Sequence, residues 1–422
     1  MSSAAEPATE AATEAAAPAP GGGGQPRSGR GWRIVAALAV TQTIGYGVLY
    51  YAFSVFLTPM TADLHVSSAQ VAAALTGSIL IAALCAPLVG RLLDARGGRG
   101  LMTAGSVIGT LAVLAWSQVE NLAQLYAVFA AIGIASAMVL YESAFAVIVS
   151  WFDGPDHSQG HGRANALLAL TVVAGFASTI FLPLTGLLVD AYGWRTALVV
   201  LAAIYGVAAI PLHALVVRRP ARAGRRAATT RERAEIVKAA TRRRPFWLLV
   251  IAFTANGGAV AVMAVLLITY LIHLGHSPVL AATLAGLLGV LSVTGRLLTT
   301  GLQRRLPAAL IAAAIFALQG VAAALLPPAG RTVPGAIGCV LGFGLGFGIA
   351  SITLPHLLLQ RYGTSAYASL SGRVAAFSVA DKALAPLGAV ALAQAAGYTC
   401  VMAAVAVACA VAAFALVAYH RV

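Results

Sequence analysis

Charge is scarce in this sequence: Asp, Glu, Lys and Arg together fill only 9% of its 422 positions. A soluble domain carries about 25% of these residues, because its surface must face water. Hydrophobic residues account for 60% of the chain and fall in runs of about twenty. A helix of that length spans the hydrocarbon core of a bilayer, which is roughly 30 Å thick. The composition excludes a soluble globular domain and predicts an all-α membrane protein with many spans.

Residues that carry catalysis or bind metals are also few. The four cysteines, Cys85, Cys339, Cys400 and Cys409, lie inside apolar runs and lack the spacing of metal ligands, so we interpret them as buried hydrophobic residues. No G-x-x-x-x-G-K-[ST] segment occurs in the sequence, and no serine stands in a nucleophile–base arrangement. We therefore expect no metal, no cofactor and no enzymatic activity.

What the sequence does contain is a series of twelve apolar segments, six on each side of one long polar connection. The segments lie near residues 34–56, 69–89, 101–118, 122–149, 166–189, 194–217, 246–272, 278–301, 307–327, 333–358, 374–396 and 399–419. The polar connection holds eleven Lys and Arg against two Glu. The first residues are rich in Ala, Pro, Glu and Gly and offer almost nothing to bury. We expect a disordered cytoplasmic tail over 1–31, an N-terminal six-helix bundle over 32–217, a basic cytoplasmic linker over 218–245 and a C-terminal six-helix bundle over 246–422.

The distribution of basic residues predicts the orientation of the chain. With the N-terminal tail in the cytoplasm, 23 of the 27 Lys and Arg fall on the cytoplasmic side, and only Arg195 and Arg331 fall outside. Cytoplasmic loops of membrane proteins carry such an excess. We therefore expect a multi-pass protein of the cell membrane with both termini in the cytoplasm. The basic linker has no nucleic-acid recognition motif, so its expected partner is anionic membrane lipid and not nucleic acid.

The strongest local pattern follows the second apolar segment. Gly90, Asp94, Gly97 and Arg99 fit the pattern G-x-x-x-D-x-x-G-x-R at the end of a helix. Gly90 allows close approach of another helix, Gly97 permits a tight turn, and Asp94 can accept from helix N-terminal amides. Alone, the pattern also fits a well-capped turn. Between the second and third of twelve spans it resembles the signature loop of the major facilitator superfamily, and this resemblance implies a gating role for the four residues.

Further matches extend the resemblance over roughly residues 32–420. Residues 183–195 are similar to the family's junction between the fifth and sixth spans, and 295–298 repeat 90–93 in the second half. The resemblance implies two six-helix bundles around a central cavity, which work by alternating access as a secondary transporter. It also implies a small-molecule substrate and a proton or counter-substrate gradient as the driving force. We expect the protein to be a monomer.

Four ionisable side chains lie inside the apolar segments: Glu142 in the fourth, Arg296 in the eighth, and Asp381 and Lys382 in the eleventh. An ionisable group at a helix centre in lipid costs about 2.5–3.5 kcal/mol, so each is expected to face a cavity or a partner. In the family that the chain resembles, these spans line the cavity. We therefore predict that the four residues bind the substrate or couple transport to an ion. The two acids and two bases could also form structural ion pairs, and the sequence leaves both interpretations open.

The first span carries a polar and aromatic stripe. Gln42, Tyr46 and Tyr50 follow at intervals of four residues and share one helical face. We include them among the candidates for the substrate or coupling site, with packing between helices as the alternative.

The two cations in the second half favour an organic anion as the substrate, since guanidinium and ammonium groups pair well with carboxylate. In this respect Arg296 and Lys382 are similar to the basic residues that oxalate/formate antiporters and monocarboxylate transporters carry in spans eight and eleven. The alternative is a proton-coupled drug or metabolite exporter that uses Glu142, although residues 175–183 depart from the Gly- and Pro-rich motif of such antiporters. A membrane receptor or a lipid-modifying enzyme is a third class, which the absence of an output domain or a catalytic insert disfavours.

Overall fold

The structure, a computed structural model, describes residues 27–152, 157–218, 229–303 and 305–422. Within these ranges the chain is helical and contains no β-strand. The α-helices in this part of the chain are α1 (Arg27–Tyr46), α2 (Phe53–Leu64), α3 (Ser68–Arg96), α4 (Gly98–Trp116), α5 (Leu122–Val139), α6 (Tyr141–Trp151), α7 (His157–Ala174), α8 (Ala177–Pro211), α9 (Thr230–Thr241), α10 (Arg244–His273), α11 (Pro278–Leu302), α12 (Ala308–Ala329), α13 (Val333–Gly344), α14 (Ala350–Tyr362), α15 (Tyr367–Ala396) and α16 (Tyr398–Arg421). Two π-helical segments, Gly47–Tyr51 and Leu212–Val216, adjoin α1 and α8.

Twelve spans can be traced along these helices. Among the described residues, ten helical stretches are long and apolar enough to cross a bilayer. One of them, Gly162–Val216, turns at Gly193, whose φ of 75° suits glycine, so this stretch supplies the fifth and sixth spans. The shorter apolar helix α13 continues into α14 and makes the tenth span. The first span joins α1 to α2, the fourth joins α5 to α6, and α10, α11, α15 and α16 are the seventh, eighth, eleventh and twelfth. The predicted all-α architecture of twelve spans in two six-helix bundles is confirmed.

Each half of the chain buries its own apolar core. In the first half, the ring of Phe129 packs edge-on against Trp116 and Phe53, with centroids 4.8 Å and 5.4 Å apart. In the second half, Phe343 and Cys409 lie in the corresponding core. Such rings bury large apolar areas and prefer this edge-to-face geometry.

The cysteines differ in exposure. Cys339 and Cys409 are buried and Cys85 is partly buried, but Cys400 is exposed near the start of α16. The interpretation of Cys400 as a buried residue is therefore wrong. An apolar run in a membrane span carries residues on its outward face as well as its inward face, so hydropathy alone does not predict burial.

The predicted linker contains an amphipathic helix. α9 begins with a capping box, in which Thr229 and Glu232 each accept from the other's backbone N–H, and it buries Val237 and Ala240. Linker residues 219–228 and tail residues 1–26 lie outside the described ranges. Residues 27–31, which we assigned to the tail, begin α1.

Four spans are irregular near their middle. The fourth breaks at Leu140, the fifth between α7 and α8, and the tenth between α13 and α14, while a π segment widens the first. In lipid, freed backbone groups need partners inside the protein. At the fourth-span break, Gln42 Nε2 donates to the Val139 carbonyl oxygen at 2.6 Å, and the Ser143 hydroxyl donates to that of Ala137 at 3.0 Å. Irregular backbone at this depth is found where it is buried in protein or lines a cavity.

The two halves pack closely at the end of the molecule that carries Asp94, which we call the Asp94 end. There a Cβ on Gly90 would collide with the Ala368 carbonyl oxygen, and a Cβ on Gly372 would collide with that of Ala86. Small residues of this kind allow helix backbones to approach. Most of the buried residues of α15 lie in the half near Asp94, whereas its far end is largely exposed. The space between the halves is therefore closed at the Asp94 end.

Candidate functional site

Ionisable and tyrosine side chains converge between the two halves, where the irregular spans meet. We call this group the central cluster; its members are Tyr46, Tyr50, Tyr51, Tyr141 and Glu142 from the first half and Arg296, Ser371, Asp381 and Lys382 from the second. The structure thus brings together all four ionisable residues that the sequence singled out.

Glu142 lies in the first turn of α6, directly after the break at Leu140. Its Oε2 accepts a hydrogen bond from the Ser371 hydroxyl of α15 at 2.8 Å, which joins the two halves of the chain. The N-terminus of a helix carries a partial positive charge that stabilises a carboxylate. The carboxylate is also close enough to Lys382 to interact with it electrostatically. The break in the fourth span therefore sets an acid at the boundary between the bundles.

Arg296 spans the same boundary from the other side. Its Nε donates to the Gly348 carbonyl oxygen at 3.1 Å, in the interrupted part of the tenth span, and its Nη1 donates to the Thr171 carbonyl oxygen at 3.0 Å, near the fifth-span break. Gly295 allows this approach, because a Cβ there would collide with the Leu345 carbonyl. No carboxylate of the described residues forms an ion pair with Arg296. A guanidinium has five N–H donors, so several remain for another partner.

Lys382 reaches the cluster from α15. Its aliphatic stem passes Gly257 of α10, where an added Cβ would lie 3.1 Å from Lys382 Cε. Oδ2 of the neighbouring Asp381 lies against Gly258 of α10, where an added Cβ would collide with it. Lys382 interacts electrostatically with Glu142 and Asp381, yet it forms neither a hydrogen bond nor an ion pair within 4.0 Å with any described residue. Its side chain is exposed although protein surrounds it, so it lines an internal space.

The tyrosines form a contiguous aromatic group. Ring centroids are 4.6 Å apart for Tyr46 and Tyr141, 6.5 Å for Tyr46 and Tyr51, and 5.2 Å for Tyr50 and Tyr51. Sequence reasoning missed Tyr51 and Tyr141. The π segment adds a residue to the turn, which brings Tyr51 beside Tyr46 at a spacing of five. The π segment begins at Gly47, where a side chain would collide with the Phe181 ring.

Gln42 differs from the two tyrosines of the predicted stripe. It is fully buried, and its amide nitrogen is bound to the Val139 carbonyl oxygen. Gln42 therefore stabilises the break in the fourth span, which lies behind the central cluster. For Gln42 alone, packing between helices, the alternative stated for this stripe, describes the geometry better than contact with a cavity.

The four residues of the signature pattern lie together at the Asp94 end. Asp94 Oδ1 and Oδ2 accept from the backbone N–H groups of Ala368 and Ser369 at 3.1 Å and 2.7 Å. Gly97 has a φ of 80°, and Arg99 Nε donates to the Ala214 carbonyl oxygen at 2.6 Å. The loop is thus fixed to both halves in this conformation.

A cavity of about 250 Å³ lies beside this loop. Its wall includes Asp94, Arg218 and Tyr367. It is separate from the central cluster, with which it shares no lining residue. No three His, Cys, Asp or Glu side chains converge as metal ligands would anywhere in the described part of the chain.

Comparison with known proteins gives a consistent result. A family model described as Major Facilitator Superfamily matches residues 38–380. Monocarboxylate transporter 13 of Rattus norvegicus is 26% identical over 309 residues, which cover 72% of this chain and 69% of the relative. Monocarboxylate transporter 13 of Bos taurus is 25% identical over 343 residues, which cover 79% and 76%.

Solved structures agree in fold. A variant of the E. coli fucose:proton symporter FucP aligns with a TM-score of 0.70 at 15% identity and covers 91% of this chain and 98% of its own. The human organic anion transporter MFSD10 (TETRAN) aligns with a TM-score of 0.66 at 16% identity, with 93% and 100% coverage. At these identities the likeness concerns the fold alone.

Proposed function

The chain belongs to the Major Facilitator Superfamily, and from this premise we propose that it carries a small organic anion, such as a carboxylate, across the cell membrane by alternating access. As a member of this family it is a multi-pass membrane transporter and not an enzyme.

One observation carries the choice of an anion. Lys382 and Arg296 both reach the central cluster, and neither forms an ion pair with a described residue. A buried or enclosed cation is costly without a charged partner, and carboxylate is the group that both side chains bind best. A carboxylate between them would complete the site. The similarity to monocarboxylate transporters supports the same class.

The geometry suggests how binding drives the conformational change. In this conformation Arg296 joins Thr171 of the first half to Gly348 of the second, and Glu142 joins Ser371 across the same boundary. An anion bound to the free donors of Arg296 pulls the guanidinium toward itself, in competition with the two carbonyl oxygens. Such competition changes the relative stability of the two packings of the bundles, which is the requirement for a ligand-driven shift. The end opposite Asp94 would then close as the Asp94 end opens.

We propose the Asp94 end as the cytoplasmic end, on the basis of the excess of basic residues there. The structure then represents a conformation open to the outside. The exposed Arg231 and Lys238 of α9 and the exposed arginines at 242–244 would face anionic lipid headgroups. The driving force is a gradient of protons or of a counter-substrate, and of the two acids in the cluster, Glu142 and Asp381, we propose Glu142 as the one that exchanges a proton.

A second candidate is proton-coupled export of a drug or metabolite. The observation that favours it is Glu142 itself, a carboxylate at the boundary between the halves that accepts a hydrogen bond from the Ser371 hydroxyl. In this alternative the substrate is neutral or cationic, and Lys382 serves to tune the charge of Glu142.

Uptake into proteoliposomes distinguishes the two candidates. The purified full chain is reconstituted, and radiolabelled carboxylates, neutral compounds and organic cations are offered with and without an imposed proton gradient. We expect saturable uptake of a carboxylate, and we expect Arg296→Gln to abolish it. Uptake of cations or neutral compounds without any carboxylate would reject the proposed substrate class in favour of the second candidate.

A further inference from the structure

We propose that the transported carboxylate bears an aromatic ring, which stacks on a wall formed by Tyr46, Tyr50, Tyr51 and Tyr141 beside Arg296. This inference rests on the proposed function, because it takes an organic anion as the substrate. It adds the chemical class of the group that is attached to the carboxylate.

The wall is built by two irregular spans. The π segment turns Tyr51 toward Tyr46, and the break at Leu140 places Tyr141 at the start of α6. Tyr141 also stacks on Phe145, with an angle of 14° between the ring planes and 5.2 Å between centroids. Phe145 is buried, so it supports the wall from behind. The tyrosines are thereby held in place before a substrate arrives, which lowers the entropy lost on binding.

The wall is open on one side. Tyr50 is 40% exposed even though protein surrounds it, which is expected of a ring that lines an internal space. The hydroxyls of the four tyrosines make no hydrogen bond with any residue in the described ranges. Tyrosine hydroxyls that are enclosed by protein usually have a partner. The wall therefore offers both aromatic faces and unused hydrogen-bonding groups to a ligand.

The cation lies at the edge of this wall. Arg296 is close enough to the hydroxyls of Tyr46, Tyr51 and Tyr141 to interact with them electrostatically. Two of its five donors are used by carbonyl oxygens, and Nη2 forms no hydrogen bond with a described residue. A carboxylate bound to Nη2 would place the group attached to it against the rings. A planar aromatic group fits this geometry, because offset or edge-on contacts between two rings are favoured over contacts between a ring and a saturated group.

Aromatic cages also bind organic cations, so the charge of the site must decide between the two classes. Glu142 is the acid nearest the wall, since it interacts with Tyr46. Arg296 interacts with three of the four tyrosines, and Lys382 adds a second positive charge near Glu142. Asp381 lies against Gly258 of α10, where its Oδ2 would collide with an added Cβ. The face of the wall therefore meets a positive group, which repels an organic cation.

The test compares two acids of similar size and equal charge, benzoate and cyclohexanecarboxylate, by calorimetric binding to the purified full chain. Stacking on a tyrosine ring should favour benzoate by about 2- to 13-fold. Tyr50→Phe keeps the ring and should retain this preference, whereas Tyr50→Leu should lose most of it. Tyr192→Leu is the matched control, because Tyr192 is exposed and lies outside the central cluster. That variant should bind both acids as the wild type does.

The outcomes separate this inference from the proposed function. Equal affinity for the two acids, or an unchanged preference in Tyr50→Leu, overturns the aromatic class and leaves the carboxylate transporter in place. Failure of every carboxylate in the panel to bind overturns both proposals. Binding of benzyltrimethylammonium in place of benzoate also overturns both, because it identifies the wall as a cation site.

Discussion

Asp94 and Ser369 lie in different halves of the chain, yet the Ser369 backbone N–H donates to Asp94 Oδ2 at 2.7 Å. Ser369 and Ala368 stand in the first turn of α15, where backbone N–H groups have no partner within their own helix. Asp94 supplies that partner from α3 and places its negative charge at the positive end of the helix dipole. The bond can persist only while the two halves are closed at this end. It therefore stabilises one of the two packings of the bundles.

Asp94→Ala should slow transport without preventing insertion into the membrane. Asp94 accepts two hydrogen bonds across the halves, and each bond to a charged group contributes about 1.5–3 kcal/mol. Loss of even one of them shifts the equilibrium between the two packings by roughly 10- to 150-fold. The measurement is the initial uptake rate in proteoliposomes, normalised to the amount of inserted protein. Asp190→Ala is the control, because Asp190 is exposed and forms no ion pair with a described residue. Wild-type rates in Asp94→Ala would show that the loop has no gating role.

Gly257→Ala should weaken substrate affinity more than it changes stability. The added Cβ would lie 3.1 Å from Lys382 Cε, so the lysine stem must move by a few tenths of an ångström. The helix itself should tolerate the change, since alanine is favoured over glycine in a helix by about 0.5–1 kcal/mol. Gly388→Ala in α15 meets nothing within 4 Å and is the control. Thermal unfolding and substrate binding are measured on both variants. Equal affinities of the two variants would mean that Gly257 does not position Lys382.

The orientation has its own test in intact cells. Arg231 in α9 is exposed on the proposed cytoplasmic side, and Glu120, between the third and fourth spans, is exposed on the proposed outer side. In a Cys400→Ser background, an impermeant maleimide should label Glu120→Cys directly and Arg231→Cys only after the membrane is permeabilised. The reverse pattern would invert the proposed orientation.

The twelve spans could be predicted because bilayer thickness fixes the length of an apolar helix. The breaks at Leu140 and in the tenth span could not be predicted from the sequence. Their freed backbone groups are satisfied by residues far away in the sequence, such as Gln42. The ionisable residues of the site were accessible to sequence reasoning, since lipid makes each of them costly. The place of Tyr51 in the site could not be predicted from the sequence, because the helical period of 3.6 residues does not hold through a π segment.

The central claim is that Lys382 and Arg296 bind the anion. Its most direct test is the substrate affinity of Lys382→Gln and of the double variant Asp381→Asn with Lys382→Gln, each with its melting temperature. Removal of one side of a buried charged contact typically costs about 2–5 kcal/mol, which is roughly 30- to 4,000-fold in affinity. Lys382→Arg keeps the charge with a different donor geometry and should retain part of the affinity.

We predict that both Gln variants bind the carboxylate weakly and melt close to the wild-type temperature, because Lys382 has no ion pair with a described residue to lose. The contrary result has two parts. Lys382→Gln alone would have a lowered melting temperature, and the double variant Asp381→Asn with Lys382→Gln would regain both stability and full transport. That result would make Lys382 the structural partner of Asp381 and would remove it from the substrate site.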